Sequence, residues 1–172
     1  MRDSVRALRA VLTAALIGGS AAGIATAGAD PGTGNPADVN TLATSLSKGY
    51  SLDNCTPESV TAGELAALTC GRSPDPAGPV LAKYVLLRNG GEMAGMFIRS
   101  IAEDLLTDCG TLKSPNVWHR GGSTEPTGQV ACGTFQNQAE VIWTIDDKKV
   151  LSLIRGSTND VPSLYQWWQA NG

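Results

Sequence analysis

The chain reads as an α+β domain: an antiparallel sheet with helices packed on one face, pinned by two disulfides. Three observations predict this class. Apolar residues alternate at period two over Val80 to Leu87 and over three closely spaced runs, Gln129 to Phe135, Ala139 to Ile145 and Lys149 to Arg155, the pattern of strands. Two other segments repeat apolar residues at helical spacing, and their order among the strands fits an α+β layout. Four cysteines, an even number, supply the staples.

Taken from its start, the chain first presents an export segment. Arg2, Arg6 and Arg9 form a basic region, Ala10 to Ala27 is weakly apolar and uncharged, and Ala27-Gly28-Ala29 offers small residues for cleavage. This is the three-part pattern of a secretory signal peptide over residues 1–29, with the boundary between Ala29 and Asp30. Gly18, Gly19, Ser20 and Gly23 interrupt the apolar run, whereas a membrane span wants about 20 strongly apolar residues. No membrane span is therefore expected after cleavage, and the protein is expected outside the cell or in its envelope.

Residues 1–29 carry three of the 13 basic and one of the 16 acidic residues, leaving 143 residues with a net charge of −5. That is one ordinary domain, expected over 37–172. The acidic balance and scattered lysines and arginines argue against nucleic acid as a partner. Cys55, Cys70, Cys109 and Cys132 allow three pairings. Metal knuckles would need closer spacing or histidines, so two disulfides are expected in an oxidising compartment, paired sequentially as Cys55–Cys70 and Cys109–Cys132.

Asp30 to Pro36 contains two Pro and two Gly and reads as a flexible lead-in. A short helix follows from Pro36 or Asp38, with Val39, Leu42, Ala43 and Leu46 on one side and Lys48-Gly49 at its end. A strand spans Ala66 to Cys70, and Gly71 to Pro79 is a loop. After the Val80–Leu87 strand, Asn89-Gly90-Gly91 punctuates the chain. Met93, Met96, Phe97, Ile101 and Leu105 then mark an amphipathic helix of about three turns. Ser114-Pro115-Asn116 leads into Val117-Trp118-His119-Arg120, which alternates like a strand. In the middle of the last three strands, Val141, Trp143 and Ile145 share one face and Ile142 and Thr144 the other. Asp146-Asp147-Lys148 turns the final hairpin. Asn159 or Asp160 caps a last helix, with Pro162 in its first turn and Leu164, Trp167 and Trp168 along its side. Leu68-Thr69-Cys70-Gly71 and Val130-Ala131-Cys132-Gly133 resemble one another, each with a cysteine upstream, and read as a two-fold β-β-α repeat.

Motifs for chemistry are sparse. His119 is the only histidine, so any imidazole catalysis must use it. A secreted hydrolase would need His119 beside a serine, such as Ser114 or Ser123, or a carboxylate, yet no Gly-x-Ser-x-Gly elbow occurs. Calcium loops and phosphate-cradling glycine loops are absent too, and no cofactor is implied. Catalytic residues are therefore not assigned. Adjacent Trp167 and Trp168 point about 100° apart on a helix, so either one lies at a binding rim or both pack on the sheet. A recognition surface, if present, is expected near Trp118, His119 and Arg120 and around the exposed member of the Trp167–Trp168 pair.

The run from Trp118 through Gly128-Gln129-Val130-Ala131-Cys132, Val141-Ile142-Trp143-Thr144-Ile145-Asp146-Asp147 and Leu164-Tyr165-Gln166-Trp167-Trp168 resembles a small exported domain of actinobacteria, especially mycobacteria. In that group it is similar to the extracellular module of receptor-type serine/threonine kinases, and it also occurs in free-standing secreted proteins. The resemblance is clear over about residues 115 to 168 and looser over Tyr50 to Cys109. It implies secretion, disulfides and a sensing or binding role toward an envelope or extracellular ligand or protein. The sequence lacks kinase motifs and a mid-chain span, so the resemblance does not extend to signal transduction. A structural or host-interacting secreted protein is the other reading beside the hydrolase.

Overall fold

The computed structural model describes residues 32–172; the expected signal peptide and its Ala29–Asp30 boundary lie outside the described residues. Helix α1 (Pro36–Ala43) starts where Asn35 accepts the Ala37 N–H on its side chain at 2.9 Å and Pro36 presets the first turn. Just before it, the Val60 N–H donates to the Gly32 carbonyl, and Gly34 (φ +82°) abuts Leu65 so closely that a Cβ would meet its carbonyl oxygen at 2.5 Å.

Eight strands form one antiparallel sheet: β1 (Cys55–Pro57), β2 (Glu64–Cys70), β3 (Leu81–Leu87), β4 (Leu105–Thr107), β5 (Asn116–Trp118), β6 (Gly128–Phe135), β7 (Gln138–Ile145) and β8 (Val150–Arg155). Their spatial order is β1-β2-β3-β8-β7-β6-β4, with β5 pairing a different stretch of β6. Helix α2 (Gly90–Ile101) follows β3, and α3 (Val161–Asn171) ends the chain. Both disulfides form as expected, Cys55–Cys70 and Cys109–Cys132. The first joins residues directly opposite each other on β1 and β2.

The helices do not share one face, which corrects the expected layering. Leu42 of α1 and Leu164, Trp167 and Trp168 of α3 pack with Tyr84, Val141 and Trp143 on one face. Met93, Phe97 and Ile101 of α2 pack with Leu87, Ala131, Ile142 and Leu151 on the other. The cause is in the central strands. Both Trp143 and Ile142 are fully buried, so β7 needs cover on both sides rather than a solvated back.

The internal repeat is also limited. Cys70 and Cys132 each sit on a strand bridged to an upstream cysteine, and β2-β3 and β6-β7 are both hairpins. Beyond that, the second half inserts β8 before its helix, and α2 and α3 lie on opposite faces. The two Cys-Gly pairs differ as well. Gly71 ends its strand in open space, whereas Gly133 lies inside β6, where a Cβ would come within 2.9 Å of the Leu105 carbonyl on β4.

Candidate functional site

Helix α3 and the end of β5 enclose a cleft of about 390 Å³. Asp160 starts α3 by accepting the Ser163 N–H at 3.1 Å, and the helix then crosses β7 and β6. This lowers Trp168 onto Trp118 (ring centroids 5.3 Å, edge-on) and Trp143 (5.8 Å). Tyr165, one turn earlier, stacks on Trp168 at 5.4 Å. Burial pushes the Tyr165 phenol above its usual range, so it stays a neutral hydroxyl at ordinary pH. Trp118 is fixed from β5: opposite Gly128 in register, it donates its indole N–H to the Thr144 carbonyl at 2.9 Å.

After Trp118 the chain leaves the sheet and exposes two basic side chains at the rim. The Arg120 guanidinium lies 5.5 Å from the centre of the Trp118 ring, a cation–π distance. His119 places Nδ1 3.0 Å from the Glu125 carbonyl. Only a protonated Nδ1 can donate there, which leaves Nε2 as the nitrogen available to a ligand.

Three of the residues expected at a recognition surface, Trp118, His119 and Arg120, thus line one cleft with Trp168. Trp167 does not join them. It is buried and donates its indole N–H to the Asp75 carboxylate at 2.9 Å, anchoring α3 to the Gly71–Pro79 loop. Neither tryptophan is the exposed rim residue that one reading expected; Trp168 is 5% exposed and meets the cleft as part of its wall. Its Nε1 is buried without an acceptor among the described residues. That nitrogen lies against Gly172, where a Cβ would approach within 2.5 Å. An unpaired buried donor costs about 1–3 kcal/mol, and this one is closed off from solvent.

Tyr165 and Leu112 are among the lining residues not singled out from the sequence. Tyr165 lies three residues before Trp168, on the same helical side, so the spacing carried the signal. Leu112 had none, because its position depends on the Cys109–Cys132 bridge and on mutual backbone hydrogen bonds with Cys109 (2.8 and 3.0 Å).

The serines named for a hydrolase are engaged elsewhere. Ser114 Oγ bonds the backbone of Cys132 in both directions, at 2.8 and 3.1 Å, and Ser123 Oγ accepts the Glu125 N–H at 3.0 Å. Among the described residues there is no group of three or more His, Cys, Asp or Glu side chains placed to hold a metal ion, and no helix is long and apolar enough to cross a membrane. Against protein-family models, curated proteins and solved structures, the chain gives no match.

Proposed function

We propose that this protein is an exported, disulfide-stabilised binding domain of sensor type, acting in the actinobacterial cell envelope or outside the cell. Its ligand seats between α3 and the Trp118–Arg120 segment. The observation that carries this reading is the placing of Arg120 and His119 beside an aromatic wall of Trp118, Tyr165 and Trp168 in one cleft. Aromatic faces hold the flat or ring-shaped body of a ligand, while a few convergent polar groups orient it. Arg120 is a donor and the neutral His119 Nε2 an acceptor, so the matching ligand pairs acceptor oxygens with a hydroxyl that can donate, as an envelope component carrying both carboxylate and hydroxyl groups does.

The test is titration of the exported protein with soluble envelope fractions, followed by tryptophan fluorescence. Arg120→Ala and His119→Ala are exposed changes and should each weaken binding about tenfold, the order expected for losing a hydrogen bond to a charged group, with thermal stability unchanged. Binding that survives both substitutions would place the ligand elsewhere. Intact mass examines export separately: loss of residues 1–29 and of four hydrogens, for two bridges, is the expected result.

A further inference from the structure

On the opposite face of the sheet, α2 packs over β7, β8 and β3, and a second hollow of about 440 Å³ opens at its side. Its walls are Met93, Ala94, Phe97 and Ile98 from one side of α2, facing Pro115. Ala94 and Ile98 are exposed, and Ile98 leaves 61% of its surface to solvent. So much open aliphatic surface around one concavity is a site for an apolar body.

The far end of the hollow is polar and anionic. Thr144 Oγ1 accepts the Gln129 N–H at 2.9 Å and donates to Asp146 Oδ1 at 2.6 Å. The threonine is thereby occupied and aims the carboxylate. Asp146 makes no salt bridge among the described residues, and no basic side chain lines the hollow. Gly90, at the N-terminus of α2, also borders it. A helix terminus contributes about half a positive charge at most, and Asn89 already caps this one. The full charge of Asp146 therefore decides the sign.

We infer that this hollow binds a single-chain amphiphile, with its apolar tail along α2 and a protonated amine head on Asp146. The site is separate from the α3 cleft, and its occupancy does not depend on the ligand proposed there. Decylamine, decanol and decanoate, each below its micelle-forming concentration, are the probes, followed by amide and methyl NMR shifts. Decylamine should move the Ala94 and Ile98 resonances at the lowest concentration. Asp146→Asn should weaken decylamine about tenfold, as expected for a hydrogen bond to a charged group, and leave decanol unchanged. Ala94→Trp, at an exposed helix position that tolerates bulk, should block all three, whereas Arg120→Ala should block none. Equal affinity for decanoate and decylamine would overturn the inference, as would undiminished binding to Ala94→Trp or loss of binding in Arg120→Ala.

Discussion

Thr144 serves both faces of the sheet. Its carbonyl takes the Trp118 indole N–H at the cleft, and its hydroxyl holds Asp146 and the Gln129 N–H at the α2 hollow. Gly128 fits beside it only because it lacks a Cβ, which would lie 2.1 Å from the Thr144 carbonyl oxygen. Thr144→Val keeps the shape and the carbonyl but removes the hydroxyl. It leaves the Gln129 N–H without its partner, so a loss of about 1–3 kcal/mol is expected in urea denaturation. The Trp118 indole NMR resonance should stay in place, because its acceptor is main chain; a large shift would mean that the hydroxyl also sets the cleft. Residue-scale features were legible where neighbours in sequence act together, as Trp118, His119 and Arg120 do. Helical phase separated Trp167 from Trp168 but could not say which would meet the cleft. That choice depends on Asp75, 92 positions away from Trp167, and nothing local encodes it.

At the scale of elements, most strands stand within a residue or two of their sequence limits, since period-two alternation is a direct imprint of a sheet face. The helix ends were harder to read. Asn89-Gly90-Gly91, expected as punctuation, is the cap and first turn of α2: Asn89 Oδ1 accepts the Glu92 N–H at 2.9 Å. Leu105 continued the apolar spacing, but α2 stops at Ile101, and Leu105 stands 78% exposed on β4. Beyond the helix end, Glu140 on β7 pairs with Arg155 on β8 while only 2% of its surface is exposed. Burial holds the Glu140 carboxyl above the usual range even though Arg155 pulls it down, and Asp104 is raised for the same first reason. A raised carboxyl binds its proton more tightly in the folded state. Its contribution is therefore full below the unfolded carboxylate pKa and is lost as pH rises through the folded one. Glu140→Gln should flatten that fall in stability. Arg155→Ala should cost about 3–5 kcal/mol at neutral pH by stranding a buried charge, and less in acid. Urea midpoints across a pH series check both, and a pH-independent loss for Arg155→Ala would assign its role to packing on Phe135 (5.2 Å) instead.

For the whole molecule, the class and the antiparallel sheet could be read from the chain, because alternation is a global signature; cysteine count implied two bridges while leaving three pairings open. The two-sided cover could not be read so directly. It rests on Ile142, Leu151 and Leu87 being buried behind a face that Trp143 and Tyr84 already fill, and alternation between two apolar sets looks like one apolar face. The bridges also divide the labour. Cys55–Cys70 ties the edge strand β1 to β2, away from the cleft residues. Cys109–Cys132 anchors the turn that sets Gly110 against Tyr165, where a Cβ would approach to 3.2 Å, and that carries Leu112 into the cleft wall. Loop closure over separations of 15 and 23 residues makes each bridge worth about 3 kcal/mol, so the paired serine variants should lose similar stability. They should differ locally. Cys109→Ser with Cys132→Ser should shift the Trp168 indole resonance and weaken near-ultraviolet circular dichroism from the Tyr165–Trp168 stack, while Cys55→Ser with Cys70→Ser should leave both signals in place under folded conditions. If both variants perturb the stack equally, the cleft is held by the sheet as a whole, and the second bridge has no special part in shaping it.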